Sequence, residues 1–315
     1  MTPQISIVVP LYNEEKSFPL LRERLQALIR TSPLSIEVVL VDDGSKDNTA
    51  MLMTALAVED AAFHCIFLSR NFGHQIALTA GLSQCRAKEA VLIIDGDLQD
   101  PPELLMSFYE KMKEGHDVVY AIRRKRKEVF YKRFAYALFY RILKNISSIN
   151  IPPDSGDFSL ISRRVVDIIN SMPEESRFIR GMRSWVGFRQ VGIEYDRDGR
   201  VAGETKYSFK ALLNLAYNGI FNFSEFPIKF LMRVGFLTIS IVFVYFAYAL
   251  YKKIVHDVVP EGFTALVFII MLVAGAQFIA LGIIGEYVLR IFLQVKKRPL
   301  FTVRQKIIDR KVIDG

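Results

Sequence analysis

Short apolar runs rich in β-branched side chains alternate with amphipathic stretches of helical length over about the first 120 residues. The runs lie at 5–9, 36–41, 63–68, 90–94 and 117–120. Such alternation predicts an α/β domain with a largely parallel sheet, because crossover helices join parallel strands. In these sheets ligands bind beyond the carboxyl ends of the strands. Functional side chains are therefore expected directly after each run.

Two longer apolar stretches follow near the C-terminus. Residues 234–251 and 263–285 contain no charged side chain, and each is long enough to cross a hydrocarbon core of about 30 Å. They predict two transmembrane helices, with a pair of buried core helices as the alternative. Basic residues flank the outer ends of the pair and predict that both ends are cytoplasmic, although Lys252 and Lys253 in the connecting loop oppose this. The flanking residues are Lys229, Arg233, Arg290, Lys296, Lys297, Arg298 and Arg304.

Basic and aromatic side chains are mixed in two other stretches, at about 123–146 and 206–229. This makeup predicts amphipathic helices in the lipid headgroup layer, with surface helices of a soluble domain as the alternative. The expected organisation is an α/β domain at 1–228 that includes these interface helices, a transmembrane hairpin at 229–295, and a basic cytoplasmic tail at 296–315.

The composition agrees with a chain that lies partly in lipid, since 51% of the residues are hydrophobic and the mean hydropathy is +0.23. Cys65 and Cys85 have no metal-ligand or redox spacing, so buried reduced thiols are expected. The N-terminus lacks a basic segment before an apolar stretch, and therefore predicts a strand and not a signal peptide. The N-terminal domain is accordingly expected in the cytoplasm.

The net charge of +8 favours anionic partners, which include nucleic acid, acidic headgroups and phosphorylated substrates. Charge alone does not choose among them. The four histidines form no ligand cluster along the sequence, so structural roles are expected for them. They are His64, His74, His116 and His256.

Polar and acidic residues follow four of the predicted strands, as expected for a site at one sheet edge. Asp95 and Asp97 are two residues apart and project to the same side, and the glycine between them lets the backbone approach a ligand. Carboxylate oxygens of this kind suit Mg²⁺ or Mn²⁺ shared with a diphosphate. Gln99 can add a neutral oxygen or orient a metal-bound water. Asp47 and Asp100 are also candidate helix N-caps, which is a role that needs no substrate.

These strand-end motifs together resemble the inverting GT-A family of nucleotide-sugar glycosyltransferases. They are Val9-Pro10-Leu11-Tyr12-Asn13-Glu14, Val41-Asp42-Asp43-Gly44-Ser45-Lys46-Asp47, Arg70-Asn71-Phe72-Gly73 and Asp95-Gly96-Asp97-Leu98-Gln99-Asp100-Pro101-Pro102. Later motifs, followed by two spans, look like the bactoprenol glucosyltransferase and dolichol-phosphate mannosyltransferase branch. Those are Ser155-Gly156-Asp157-Phe158, Arg180-Gly181, Trp185-Val186-Gly187 and Arg200 with Gly203-Glu204-Thr205-Lys206-Tyr207. The resemblance covers nearly the whole chain.

The resemblance implies a GT-A nucleotide-sugar-binding fold and gives roles to matching positions. Asp95 and Asp97 would carry the metal and the diphosphate, and Arg200 and Lys206 would lie near phosphates. The residues that would hold the nucleotide are Pro10, Tyr12, Glu14, Asp43, Arg70 and Asp95.

The acceptor side is less defined by the motifs. Arg123, Lys132 and Arg133 are candidates for the lipid phosphate because they follow a strand end and open the basic stretch; a solvated face or nonspecific headgroup contact is the alternative. Asp157 matches the position of a general base. A phosphate monoester with a second pKa of about 6 is already largely anionic at pH 7, so Asp157 can orient the acceptor or the sugar instead.

The reaction that the resemblance implies is a single in-line displacement with inversion, from a nucleotide-sugar to a polyisoprenyl phosphate of the undecaprenyl type. The product would serve cell-envelope glycosylation at a bacterial inner or plasma membrane. UDP-glucose is the leading donor, and mannose, N-acetylglucosamine and aminoarabinose donors are alternatives. The oligomeric state is left open, a homo-oligomer included.

Two other functions are alternatives to this reaction. A processive polysaccharide synthase would have more spans and a Gln-x-x-Arg-Trp motif, which Arg180-Gly-Met-Arg183-Ser-Trp185 does not match. A noncatalytic membrane-tethered module for anions would explain the basic charge. Nucleic acid is the less expected partner, because Asp95 and Asp97 would repel its phosphates.

Overall fold

The protein is described by a computed structural model that covers residues 2–124, 152, 155–196, 226–256 and 262–314. These residues fall into two compact units. One is an α/β unit that includes the last strands of the chain, and the other contains two long helices.

One mixed sheet forms the centre of the α/β unit. Its strands are β1 (Ile5–Leu11), β2 (Ile36–Asp42), β3 (Phe63–Leu68), β4 (Ala90–Ile93), β5 (Val118–Arg123), β6 (Ser155–Ser162), β7 (Gln190–Tyr195), β8 (Val303–Ile308) and β9 (Lys311–Asp314). They lie in the order β7-β5-β6-β4-β1-β2-β3-β8-β9. The helices of this unit are α1 (Phe18–Thr31), α2 (Thr49–Glu59), α3 (His74–Gln84), α4 (Leu105–Lys113) with a 3₁₀ turn at Pro102–Leu104, α5 (Arg163–Ser171) and α6 (Ile179–Trp185).

The four central strands are parallel and buried along their whole length. β1 pairs with β2 from Ile5↔Ile36 and with β4 from Ile5↔Ala90, and β2 pairs with β3. Continuous apolar runs of this kind are typical of strands covered on both faces by helices. The predicted α/β class and the five predicted strands are therefore confirmed. Cys65 and Cys85 are free and buried, as expected.

Antiparallel neighbours flank this parallel centre. β6 pairs with β4 and with β5, and β8 pairs with β3. β6 is antiparallel to β4, with Ile93 opposite Ser159. Two residues further along each strand direction, the same register places Asp157 beside Asp95. β6 was not predicted, since 155–162 has only a weak apolar pattern.

The C-terminal segment differs from the expected basic tail at 296–315. β8 and β9 form a hairpin that extends the sheet, and Ile307 is fully buried. The turn residues Asp309 and Arg310 both have positive φ, of 50° and 63°, as in the tight turns that match the twist of a hairpin. These two strands were not predicted because their sequences contain several basic residues and few apolar ones.

The second unit consists of α7 (Phe226–His256) and α8 (Phe263–Lys296). Within them Pro227–Val255 and Ile269–Lys296 are long and apolar enough to cross a membrane, each with a mean hydropathy of 2.0. α7 and α8 include the whole of the two predicted spans and extend past them. The interface helices predicted at about 123–146 and 206–229 lie, apart from their ends, outside the described residues.

Candidate active site

The loops after β2 and β3 pack directly against each other at the carboxyl edge of the sheet. Gly44 has a φ of +69°, and a Cβ at this position would lie 2.6 Å from the carbonyl carbon of Arg70 and 2.7 Å from the nitrogen of Asn71. Only glycine permits this approach. The two motifs that were expected to bind the nucleoside are therefore joined.

Asp43 fixes the loop that carries Arg70. Its carboxylate accepts hydrogen bonds from the backbone N–H groups of Phe72 at 2.7 Å and Gly73 at 2.9 Å. Burial raises the pKa of Asp43 above its ordinary value, against the lowering effect of these two bonds. The guanidinium of Arg70 stacks on Phe72, 4.0 Å from the ring centroid. Asp43 thus has a structural role here in addition to the predicted contact with a nucleoside.

The β1 end is tied to the same loops. Pro10 is the sixth residue of the buried strand, and Tyr12 follows it half-buried. The backbone N–H of Glu14 donates to Thr49 Oγ1 at 2.9 Å, while its carboxylate accepts from Ser17 Oγ at 2.7 Å. Of the predicted nucleotide contacts, Pro10 thus lies near the end of β1, and Glu14 lies on a hydrogen-bonded turn that follows the strand.

The acidic motif after β4 is held close to β1. A Cβ on Gly96 would lie 2.4 Å from Leu11 Cδ2 and 3.2 Å from the carbonyl oxygen of Pro10. Asp97 Oδ1 accepts from the backbone N–H of Gln99 at 3.2 Å, which fixes the turn. Asp95 Oδ1 is buried and makes no hydrogen bond within the described part of the chain. Burial raises the pKa of Asp95 to about 6, with Asp100, Asp157 and Asp97 adding to the rise against the positive charge of His74.

His74 lies between two predicted site carboxylates, although a structural role was expected for it. Its Nε2 is 3.5 Å from Asp95 Oδ1 and 3.7 Å from Asp157 Oδ2. Loss of solvent lowers its pKa, but the carboxylates of Asp157, Asp95 and Asp43 outweigh that and raise it to about 9. His74 is thus a cation at neutral pH. Its place as the first residue of the helix after a strand-end motif was the signal that could have found it.

Asp157 is held by donors from two helices, α3 and α6. Gln75 Nε2 donates to its Oδ2 at 2.9 Å, and Arg180 Nε lies 3.6 Å from its Oδ1. Burial alone would raise the pKa of Asp157, but Arg180, His74 and Arg183 together hold it below its usual range. Asp157 is therefore an ionised acceptor and not a carboxylic acid. Gln75, like His74, was not predicted from the sequence.

Among the other predicted phosphate-binding residues, Arg123 ends β5 and lies near Asp100 and Tyr195. Burial lowers the pKa of Arg123, but Asp100, Tyr195 and Asp95 together outweigh this and raise it. Lys132, Arg133, Arg200 and Lys206 lie outside the described residues.

The acidic motif offers two carboxylates, Asp95 and Asp97, to a divalent cation. Within 2–124, 155–196 and the other described ranges, no group of three or more His, Cys, Asp or Glu side chains is arranged to hold a metal ion. Mg²⁺ and its analogues, however, are commonly held by one or two carboxylates together with substrate phosphates. The orphaned buried oxygen of Asp95, beside Asp97, fits this kind of site.

Residues 6–169 match the model of the family described as "Glycosyl transferase family 2". The matched region contains the four strand-end motifs and Asp157. The chain belongs to glycosyl transferase family 2. It is therefore a glycosyltransferase, and the predicted GT-A fold class is confirmed.

Similar proteins extend the match beyond the catalytic domain. The uncharacterized glycosyltransferase YkcC of Bacillus subtilis is 44% identical over 96% of this chain and 94% of its own length. The prophage bactoprenol glucosyl transferase homolog of Escherichia coli is 37% identical over 96% of this chain and 99% of its own. The bactoprenol glucosyl transferase of Shigella phage SfX is 38% identical over the same shares, 96% and 99%. The predicted relationship to polyisoprenyl-phosphate glycosyltransferases is thus confirmed at the level of the family.

Proposed function

We propose that this family 2 glycosyltransferase transfers one sugar from a nucleotide-sugar to the phosphate of a polyisoprenyl lipid of the undecaprenyl type, with inversion. UDP-glucose is the proposed donor. The relatives named bactoprenol glucosyl transferase, which match over nearly their full length, support both the lipid acceptor and glucose. The observation that carries the proposal is that one crevice combines the acidic strand end at Asp95 with an ionised Asp157.

The donor would lie across the ends of β1 to β4. Its nucleoside would be held by Pro10, Tyr12, Glu14, Asp43 and Arg70, on the joined loops after β1, β2 and β3. Asp95 and Asp97 would hold Mg²⁺ or Mn²⁺ next to the diphosphate, with Gln99 beside them. When bound, this cation offsets the negative charge of the leaving nucleoside diphosphate.

The chemistry is a single displacement. An oxygen of the lipid phosphate forms the new bond to the anomeric carbon, and the bond from that carbon to the diphosphate breaks. The nucleoside diphosphate leaves with the electron pair. No covalent enzyme intermediate is needed because the acceptor supplies the nucleophile. Asp157 is kept ionised by its donors, so it would orient the sugar or the acceptor through hydrogen bonds.

The two long apolar helices support a place in the membrane. α7 and α8 have the length and hydropathy to span it, and a lipid acceptor would reach the enzyme there. We propose an integral protein of a bacterial plasma membrane with a cytoplasmic catalytic domain. Held in one plane, the enzyme and the lipid phosphate meet at a raised effective concentration.

A donor and acceptor panel tests this function. Purified full-length protein with Mg²⁺ is incubated with UDP-glucose, UDP-N-acetylglucosamine, GDP-mannose or UDP-aminoarabinose and a short polyprenyl phosphate. The expected product has the mass of the lipid plus one hexose from UDP-glucose, with the inverted anomeric configuration by NMR. A lipid product from another donor alone would correct the sugar, and no lipid product from any donor would overturn the proposal.

A further inference from the structure

Three arginines surround the first residues of β6. A Cβ on Gly156 would lie 3.2 Å from Arg123 Nη2, and its carbonyl oxygen accepts from Arg183 Nη2 at 3.4 Å. At the next residue, Arg180 Nε lies 3.6 Å from Asp157 Oδ1. We call Arg123, Arg180 and Arg183 the arginine cluster. Gly156 allows its close approach, because any side chain there would meet the Arg123 guanidinium.

Several donor nitrogens of the arginine cluster make no hydrogen bond to the described residues. The Nε atoms of all three side chains, and Nη1 of Arg183, are buried with no hydrogen-bond partner among the residues that the structure describes. Arg183 is fully buried and lies over Tyr120, 5.4 Å from the ring centroid. A buried guanidinium with missing partners is costly, and most buried polar groups in proteins are paired. The cluster therefore fits an anion that completes it.

Positive charge exceeds negative charge around Arg180 and Arg183. In the described ranges, Asp157 is the one carboxylate within 4.0 Å of Arg180. The charges that act on Arg183 are those of Arg180 and Asp157. Burial, together with Arg180, lowers the pKa of Arg183 to about 10, which leaves it charged at neutral pH. Two guanidinium groups thus share one carboxylate, and a phosphate monoester with a charge of about −1.5 to −2 would balance the excess.

The order of the strands in the sheet indicates which anion would bind at the arginine cluster. The nucleoside motifs follow β1, β2 and β3, the acidic motif follows β4, and the arginine cluster lies at β6, α6 and β5. Nucleoside, diphosphate and sugar would therefore occupy the crevice in that order along the sheet. In an inverting displacement the nucleophile approaches from the side opposite the leaving group. The arginine cluster lies on that far side of β4.

We propose that the arginine cluster is the subsite for the phosphate monoester of the acceptor, with Arg180 as a phosphate contact beside Arg123 and Arg183 as a positioning residue below them. This inference rests on the proposed function. The planar fork of Arg180 donates paired hydrogen bonds to phosphate oxygens, which a lysine cannot reproduce. Arg183 holds the Gly156 carbonyl and supplies buried positive charge, so that Asp157 and the phosphate can lie side by side.

The experiment separates binding of the acceptor from binding of the donor. Full-length Arg180→Ala and Arg180→Lys enzymes in lipid nanodiscs are compared with wild type for the KM of polyprenyl phosphate, the KM of UDP-glucose and acceptor-independent hydrolysis of UDP-glucose. We expect Arg180→Ala to raise the acceptor KM at least about tenfold, the range for a lost charge-assisted bond. The KM of UDP-glucose and the rate of its hydrolysis should stay within about twofold of the wild-type values. Arg180→Lys should restore only part of the acceptor affinity that Arg180→Ala loses.

A phosphate-free lipid shows whether the phosphate is what the cluster binds. Wild type should bind a short polyprenyl phosphate more tightly than the matching polyprenol, and Arg180→Ala should lose most of that difference. Arg183→Lys keeps the charge and tests the bond to the Gly156 carbonyl, with a smaller rise in acceptor KM expected. Arg22→Ala, which removes a surface arginine paired with exposed Glu59, is the matched control and should behave as wild type.

The outcomes distinguish this inference from the proposed function. A raised donor KM with an unchanged acceptor KM would overturn it and assign the cluster to the donor diphosphate. Equal losses for polyprenyl phosphate and polyprenol would also overturn it, because the effect would then not depend on the phosphate. If wild type itself makes no lipid-linked sugar, the proposed function fails, whatever the variants do.

Discussion

The amide of Gln75 connects Asp157 to the start of α6. Its Nε2 donates to Asp157 Oδ2 at 2.9 Å, and its Oε1 accepts from the backbone N–H of Ile179 at 2.8 Å. A backbone N–H can only donate, so the amide has one orientation and must present its N–H₂ to Asp157. Gln75 therefore favours the ionised form of Asp157 and ties it to the helix that carries Arg180.

The Gln75→Glu enzyme should turn over roughly ten- to hundredfold more slowly at pH 7.5, because a second carboxylate would replace a donor to Asp157. Two adjacent carboxyl groups share a proton as the pH falls. Part of the loss should therefore be regained between pH 7.5 and 5.5, relative to wild type. The pH profile of kcat measures this.

Gln84→Glu is the matched control for this change, since it makes the same substitution at the far end of α3, where Gln84 Oε1 accepts from Lys306. Its turnover should be that of wild type. A Gln75→Glu profile parallel to the wild-type profile at all pH values would show that the amide does not act through Asp157.

The central strands could be predicted from the sequence because burial on both faces leaves continuous apolar runs, as at 36–41. The position of the site could also be predicted, because parallel topology brings the strand ends and the motifs that follow them together. β6, which is the longest strand, and β8 were missed because each joins the parallel strands through a partner that is distant in sequence. Their alternation is weak, and the contacts that stabilise them are nonlocal.

Within the candidate site, Asp95 and Asp157 were predicted from motifs, but the two residues that contact them in space, His74 and Gln75, were not. His74 and Gln75 are the first two residues of α3 and act on carboxylates from two other elements. Nothing in their spacing along the chain shows those contacts. Only the packing of α3 against the strand ends brings them together.

Asp157→Asn should lower kcat by roughly a hundredfold or more across pH 6 to 9, within the range for a lost catalytic carboxylate. The pKa of Asp157 lies below its usual range, so wild type keeps the carboxylate ionised throughout this window. Its titration cannot then shape the wild-type profile there. The asparagine enzyme should stay impaired at high pH, because orientation and not proton removal is lost. Recovery of most of the activity by pH 9.5 would instead indicate a general base.

Asp97→Asn and Asp95→Asn should each cost roughly a hundredfold in kcat, and EDTA should abolish wild-type transfer until Mg²⁺ or Mn²⁺ is restored. Binding is measured independently of turnover by the EPR signal of Mn²⁺ with UDP present. Both variants should weaken that binding, whereas Asp167→Asn, which changes an exposed side chain on α5, should not. Full activity in EDTA would rule out a metal at this motif.

A buried ion-pair cluster at the start of β1 and β2 should set the acid stability of the α/β unit. Glu37 accepts from Ser6 Oγ, from the backbone N–H of Arg86 at 2.7 Å and from Arg86 Nε at 2.9 Å. Arg86 also pairs with Asp309 at 2.9 Å, which ties the C-terminal hairpin to the sheet. Burial raises the pKa of Glu37, but its bonds to His64, Ser6 and Arg86 outweigh this and lower it from 4.5 to about 2.

A depressed pKa in the folded state means that the stabilisation is present above pH 4.5 and is lost as the pH falls towards 2. The shift corresponds to about 3 kcal/mol at neutral pH. Glu37→Gln should therefore lower the apparent Tm strongly at pH 7 and much less at pH 3, whereas Glu103→Gln, in an exposed pair with Arg24, should change little at either pH. Turnover at low temperature should be retained, because Glu37 lies at the opposite end of the strands from Asp95. A Tm difference that stays constant from pH 7 to pH 3 would show that the Glu37 charge is not what holds the hairpin in place.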